Sequence, residues 1–255
     1  MIKNESQLIK YLEKEFPKNS AETWDFVGYN LKKTNQKDLK ILTCLDVNNE
    51  VIELAIKESV SLIITFHPFK FANTWAEIYQ QDPHKKDLVD KLKKHQINVY
   101  AIHTNFDKHP EGTKTWLIKK LQWETKILKT FDFAYTIEYK NYFFNLVNEL
   151  KTKLKINTVW TNINQDFLID NLYIAPGASN PFEFIQNCES NTVLITSDLK
   201  WHEQQRLNDL NYKFIMITHQ VENVFVQGIN NFLTKVLDPT ITIINYDLID
   251  FIKGY

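Results

Sequence analysis

Residues 40–68 read KILTCLDVNNEVIELAIKESVSLIITFHP and contain the unit that decides the fold. Two short apolar runs, 40–46 and 61–66, have the length and the Ile and Leu content of buried strands. Between them, Asn48 and Asn49 are placed to cap a helix over about 50–59. Because a strand, a helix and a strand in this order are typical of a βαβ unit, the segment predicts a parallel sheet with helices on its faces.

The same alternation of apolar runs and amphipathic segments extends to both sides of this unit. Further strands are predicted over 97–102, 171–176, 192–197, 213–218 and 240–246. Further helices are predicted over 5–16, 83–95, 113–121, 181–188, 199–210 and about 222–236. We therefore expect an α/β protein with two βαβ-type halves and mainly parallel sheets. The N-terminal α/β half is predicted to cover 1–123 and the C-terminal half 171–255, with 124–170 as a connecting segment of strand, helix and strand.

Composition argues against several classes of protein. The formal net charge of -1 gives the chain no general attraction for nucleic acid or for an anionic membrane, so neither is expected as a partner. With 5 glycines in 255 residues, the glycine-rich loops of P-loop and dinucleotide-binding proteins are missing. Two distant cysteines favour a reducing compartment, and no signal-peptide pattern or long apolar stretch occurs, so the expected location is the cytoplasm.

Three of the seven histidines directly follow predicted buried strands. They are His67, His103 and His219, and a carboxylate follows the second of them at Asp107. Because ligands of open parallel sheets bind beyond the carboxyl ends of strands, these residues are expected to converge on one site. Imidazole nitrogens and carboxylate oxygens from several segments are the ligands of a transition-metal site. Each residue taken alone could equally be a surface or capping side chain.

Several segments resemble, in order, motifs of the dinuclear-metal-centre family, also called Nif-three-like or GTP cyclohydrolase I type 2-like. The similar segments are ETWDFVG (22–28, for E-x-W-D-N-x-G), CLDVNNEV (44–51, for A-L-D-V-T-x-E-V), LIITFHP (62–68, for L-I-I-S-H-H-P), VYAIHTNFD (99–107, for V-Y-A-x-H-T-N-L-D) and TSDLKWH (196–202, for T-G-D-x-K-Y-H). The fourth is the most specific. The resemblance covers most of the chain and is weakest over about 120–170.

The resemblance implies a set of site residues and an assembly. His67 matches the second histidine of the H-H-P pair, Asp107 the aspartate of H-T-N-x-D, and His219 the C-terminal histidine, all metal ligands in the family. His103 and His202 match pocket histidines that would transfer protons or orient other groups. It also implies a divalent transition metal of unidentified kind, two halves that face a shared metal-site cleft, and a homo-oligomer in the form of a hexameric ring.

Two ligand positions of the family differ in this sequence. Phe66 stands at the first histidine of the H-H-P pair and cannot bind a metal. Asn223 stands at the bridging glutamate four residues after His219, while Glu222 lies one position short. On an α-helix that offset turns the carboxylate by about 100°. With Glu222 as the remaining carboxylate candidate, we expect one metal ion or none per chain rather than two.

The resemblance implies metal-dependent hydrolysis of a purine nucleotide of the GTP cyclohydrolase type, in which a metal activates water for attack on the guanine imidazole ring. The alternative is a non-catalytic metal-binding or scaffold protein with a degenerate dinuclear site, which Phe66 and Asn223 favour. Two further residues have simpler interpretations. Asp46 is expected to form hydrogen bonds at a strand end rather than to bind metal, and Ser197-Asp198 is expected to cap a helix.

Overall fold

The computed structural model of the chain describes residues 1–33 and 38–249. Within these residues the strands are β1 Gly28–Leu31, β2 Ile41–Cys44, β3 Leu62–Thr65, β4 Asn98–Ala101, β5 Ile127–Thr130, β6 Tyr135–Tyr142, β7 Trp160–Thr161, β8 Leu168–Ile174, β9 Thr192–Thr196, β10 Lys213–Met216 and β11 Ile243–Tyr246. The α-helices of the same residues are α1 Glu5–Glu15, α2 Asn49–Lys57, α3 Trp75–Gln81, α4 His84–Lys94, α5 Thr104–Asp107, α6 Thr113–Leu121, α7 Phe143–Leu154, α8 Pro181–Asn187, α9 Trp201–Asp209 and α10 Val224–Val236. Short 3₁₀ helices cover Lys18–Ser20, Glu124–Lys126 and His219–Asn223.

The chain divides into two compact units. The first consists of Met1–His109 together with Phe225–Leu248, and the second consists mainly of Pro110–Val224. This division differs from the predicted boundaries at residues 123 and 170. The reason is topological, because the predicted connecting segment supplies β5, β6 and β7 to the second sheet, whereas β11 returns to the first sheet.

The first unit contains the sheet with strand order β1-β4-β3-β2-β11. β4, β3, β2 and β11 are parallel, as the βαβ pattern predicts, and β1 pairs with β4 in the antiparallel direction. Leu42, Ile63 and Val99 of the central strands are completely buried, as expected for strands covered on both faces. The predicted cap is confirmed, since the side chain of Asn48 accepts a hydrogen bond from the backbone N–H of Val51 at the start of α2.

The second unit contains a mixed sheet with strand order β5-β6-β8-β9-β10-β7. β8, β9 and β10 are parallel to one another, whereas β5, β6 and β7 pair in the antiparallel direction. The core of this sheet includes the fully buried side chains of Leu172, Val193 and Ile215. The α/β class and the two sheets are therefore confirmed, with antiparallel strands added where the resemblance is weakest. Among the described residues, no helix has the length and apolar character needed to cross a membrane.

Candidate metal centre

In the first unit, His67 and His103 lie next to each other beyond the carboxyl ends of adjacent parallel strands. β3 and β4 pair with Thr65 opposite Ala101, and each strand is followed by its histidine two residues later. The centroids of the two imidazole rings are 5.4 Å apart, and the ring planes cross at 78°. The parallel sheet thus brings together two residues that are far apart in sequence. This agrees with the expectation that ligands of parallel sheets bind beyond the carboxyl ends of the strands.

Each of these histidines is oriented by an aspartate through the same ring nitrogen. Nδ1 of His67 lies 2.9 Å from Oδ1 of Asp46, and Nδ1 of His103 lies 3.1 Å from Oδ1 of Asp25. Asp46 is thus a hydrogen-bonding residue, as expected, and its partner is His67. Metal-binding histidines almost always bond their second ring nitrogen to a carboxylate or carbonyl oxygen, which fixes the tautomer and the ring plane. In this arrangement Nε2 is the ring atom that each histidine can offer to a metal or a proton.

Phe66 occupies the position next to these histidines with an aromatic ring that is completely buried. Its ring centroid lies 5.1 Å from that of His67, 5.0 Å from that of His103 and 5.1 Å from that of Phe225. The side chain is therefore a packed part of the first unit, and it has no atom that can coordinate a metal. Asp107 belongs to the same unit as the last residue of α5, is half-buried, and donates its backbone N–H to the carbonyl of His103 at 3.1 Å.

In the second unit, His219 lies between two carboxylates. Its Nδ1 is 2.7 Å from Oδ2 of Asp198, and its Nε2 is 2.6 Å from Oε2 of Glu222. Asp198 does not cap a helix as expected, because α9 begins at Trp201 and its N-cap residue is Lys200. The side chain of Glu222 is only 5% exposed, so this carboxylate requires a cationic partner.

Glu222, one position short of the family's glutamate, still reaches His219. The turn of about 100° between the two positions applies to an α-helix, whereas His219–Asn223 forms a 3₁₀ helix. In a 3₁₀ helix the side chains at i and i+3 are eclipsed, which places Glu222 directly over His219. Sequence periodicity cannot distinguish one turn of 3₁₀ helix from one turn of α-helix. The glutamate one position short of the family pattern therefore meets the histidine in this chain.

Gly177 provides the space for the Glu222 carboxylate. Its φ is +71°, and a Cβ atom built at this position would lie 2.3 Å from Oε1 of Glu222. The carbonyl of Gly177 accepts hydrogen bonds from the backbone N–H groups of Ser197 at 2.9 Å and Asp198 at 3.1 Å. A residue without a side chain therefore both admits the glutamate and holds the segment that carries Asp198. Neither role was recognised from the sequence, where the only signal was one of 5 glycines following the predicted strand 171–176.

The two carboxylates control the charge of His219. Burial lowers the pKa of the imidazole, but hydrogen bonds and charge from Asp198 and Glu222 outweigh burial and raise it to about 10. Without a metal, the ring is therefore an imidazolium that bridges two carboxylates at neutral pH. A divalent cation at Nε2 would take the place of that proton, since a histidine must be deprotonated to bind a metal. The donor set of one imidazole and one carboxylate fits such an ion.

His202 lies exposed in the first turn of α9, so its assignment as a pocket residue stays a prediction. The convergence of His67, Asp107 and His219 on one ion also stays a prediction. The residues that sequence reasoning passed over as partners are Asp25 and Asp198, although both lie inside segments that carry the family resemblance.

Comparisons with known proteins identify the family of the chain and show solved structures with the same fold. A protein described as "GTP cyclohydrolase 1 type 2 homolog" from Mycoplasmopsis pulmonis is 32% identical over 227 residues, which cover 88% of this chain and 90% of the relative. A protein of the same description from Ureaplasma parvum is 26% identical over 244 residues, covering 89% and 88% of the two chains. The fold matches a hypothetical protein of Staphylococcus aureus with a TM-score of 0.82 at 22% identity, over 98% of each chain. It also matches a Bacillus cereus protein related to NIF3 with a TM-score of 0.81 at 17% identity, over 100% of each chain. The model of the Duf34/NIF3 family (NGG1p interacting factor 3) matches residues 4–250, so the chain belongs to the Duf34/NIF3 family.

Proposed function

We propose that this chain binds one divalent transition-metal ion, with His219 and Glu222 among its ligands. The observation that carries the proposal is the 2.6 Å approach of Nε2 of His219 to the buried carboxylate of Glu222, while Asp198 holds the opposite ring nitrogen. Both residues belong to a group of side chains that could hold a metal ion. The resemblance adds His67 and Asp107 to the proposed ligand set.

The chemistry of the donors supports a borderline ion such as Zn²⁺ or Fe²⁺. Imidazole nitrogen and carboxylate oxygen both bind these ions, whereas Ca²⁺ and Mg²⁺ prefer oxygen ligands alone. A metal would also compensate the negative charge that Asp198 and Glu222 place on either side of one ring. Asp198 would then keep the proton on Nδ1 of His219 and leave Nε2 for the ion.

We further propose that the bound ion serves hydrolysis of a purine nucleotide of the GTP cyclohydrolase type. The support is the family and the name of its relatives, which are described as GTP cyclohydrolase 1 type 2 homologs. A divalent ion in such a site supplies Lewis-acid polarisation and lowers the pKa of water. His103 and His202 are the proposed proton-transfer or orienting residues, and a homo-hexamer in the cytoplasm is the proposed assembly and location.

A second candidate function is metal binding without catalysis, in a scaffold protein. The observation that favours it is Phe66, whose buried ring packs against His67 and His103 at the place of a family ligand. A site reduced to one ion loses the second ion that, in two-metal hydrolases, stabilises the attacking or the leaving oxygen. The two candidates share the metal site and differ only in turnover.

Elemental analysis of the purified protein after incubation with zinc, manganese or iron, followed by removal of excess metal, tests the first proposal. Close to one ion per chain is expected in the wild type, with a clear loss in His219→Ala and Glu222→Gln. The matched control is His84→Ala, which removes an exposed histidine at the start of α4 and should retain the ion. Unchanged metal content in His219→Ala would contradict the proposal. GTP turnover by the loaded protein then separates the hydrolase from the scaffold.

A further inference from the structure

The carboxylate of Asp25 is completely buried and its two oxygens have different partners. Oδ1 lies 3.1 Å from Nδ1 of His103. Oδ2 accepts two hydrogen bonds from Thr104, one from the backbone N–H at 3.0 Å and one from the side-chain hydroxyl at 2.5 Å. The hydroxyl oxygen of Thr104 in turn accepts the backbone N–H of Glu22 at 2.9 Å, so its own proton is directed to Asp25.

These bonds determine which nitrogen of His103 carries the proton. Burial raises the pKa of Asp25, but the bonds from His103 and Thr104 outweigh burial and hold it below its usual range, so the carboxylate is ionised. An ionised carboxylate can only accept hydrogen bonds. The proton between Asp25 and His103 therefore belongs to Nδ1, so Nε2 is the nitrogen that has a lone pair in the neutral form of the ring.

We propose that Asp25 is a positioning residue that fixes His103 in the Nδ1–H tautomer, so that Nε2 serves as a proton acceptor in the hydrolytic reaction. The plane of the ring is fixed as well. The ring of Phe66 crosses it at 87° with centroids 5.0 Å apart, and that of Trp24 crosses it at 73° with centroids 6.0 Å apart. The role of the Nε2 lone pair as a proton acceptor rests on the proposed function, whereas the tautomer of His103 follows from hydrogen bonding alone.

The substitution Asp25→Asn should invert the tautomer. Both groups of Thr104 that face residue 25 are donors, so the oxygen of the new amide must remain on their side. Its NH₂ group then points to Nδ1 of His103, which must accept, and the ring proton moves to Nε2. The same logic explains why an aspartate-to-asparagine change beside a catalytic histidine leaves the geometry intact but produces the wrong tautomer.

The test is long-range ¹H–¹⁵N NMR of the full chain without metal, labelled on histidine nitrogens. It is recorded at pH 8.5. The His103 resonances are assigned by their disappearance in His103→Gln. We expect a protonated Nδ1 in the wild type and a protonated Nε2 in Asp25→Asn. Asp46→Asn is the control, since it removes the charge of the aspartate that bonds to His67 and should leave the His103 tautomer unchanged.

A wild-type His103 that carries its proton on Nε2 would overturn the proposal, even if Asp25→Asn failed to fold. A folded Asp25→Asn protein with an unchanged tautomer would also overturn it. In the metal-loaded enzyme, Asp25→Asn should lower kcat by about 10²–10⁴-fold, the usual contribution of a general base, with KM and metal content retained. An inverted tautomer with unchanged kcat would overturn the role as proton acceptor. Absence of GTP turnover in the wild type would instead count against the proposed reaction, while the NMR result would still decide the positioning role.

Discussion

The substitution Gly177→Ala should separate metal binding from folding, because it adds one methyl group beneath a proposed ligand. The added Cβ would lie 2.3 Å from Oε1 and 3.1 Å from Cδ of Glu222. Carbon and oxygen atoms in contact need more than 3 Å, so the carboxylate must move by close to 1 Å or more. That movement is large compared with the tolerance of about 0.2 Å on metal–ligand distances.

Two effects of different size follow from the structure. The residue keeps a φ of +71°, and a non-glycine residue in this left-handed region costs about 1–2 kcal/mol. Displacement of Glu222 removes or misplaces a residue proposed to bind the metal directly. Loss of a residue that only hydrogen-bonds to a metal ligand weakens metal binding by about 10–100-fold, so the loss expected here is larger. The loss of affinity should therefore be disproportionate to the loss of stability.

Thermal unfolding in EDTA measures the first effect, and competition with a chromophoric chelator measures the second. Gly28→Ala is a matched control, since Gly28 has a φ of +97° and its added Cβ would meet Cε of Lys18, the end of a flexible side chain, at 2.7 Å. Gly28→Ala should lose a similar amount of stability and keep its affinity for metal. A folded Gly177→Ala protein that binds metal as tightly as the wild type would refute the assignment of Glu222 as a ligand.

Three further outcomes are expected. In EDTA, the wild type should have a higher free energy of unfolding than His219→Gln, because the pKa of His219 is raised in the folded state. The difference should be complete below about pH 6.5 and should disappear as the pH rises through about 10. A difference that grows with pH would contradict this prediction. Phe66→His should raise the metal content, measured by elemental analysis, above one ion per chain. It should also lower the Tm, because the phenylalanine ring that it replaces is completely buried. Unchanged metal content in a folded variant would show that more than one ligand has been lost. Light scattering should give a mass several times the 30.3 kDa of the chain, and a monomer at micromolar concentration would count against the proposed hexamer.

The parallel strands and their terminal histidines could be predicted because both depend on local sequence. An apolar run of 4–8 residues indicates a buried strand whatever surrounds it. A histidine at the end of such a run must lie at the carboxyl edge of the sheet. Residues 61–67 show this directly, since β3 covers Leu62–Thr65 and His67 follows it.

The partners of those histidines could not be predicted, because a hydrogen bond between distant residues leaves no local pattern. Asp46 and His67 are 21 residues apart, and Asp25 and His103 are 78 residues apart. The 3₁₀ type of the helix at His219–Asn223, in which Glu222 lies against His219, was equally hidden. Before the helix of the connecting segment one strand was predicted, whereas the structure has the antiparallel pair β5 and β6; β5 is exposed along its whole length and lacks a buried apolar run.

The three aspartate–histidine pairs share a feature that stability alone does not explain. In every pair the aspartate bonds to Nδ1, at 2.9 Å in His67, 3.1 Å in His103 and 2.7 Å in His219. The aspartates paired with His67 and His219 have side chains that are 44% and 60% exposed, and ion pairs at such positions contribute at most about 1 kcal/mol. In each pair the bond of Nδ1 to a carboxylate fixes the proton on Nδ1, so Nε2 is the nitrogen that can bind a metal or accept a proton. Under the proposed function, the repeated use of Nδ1 leaves Nε2 of each ring to face a metal or a proton.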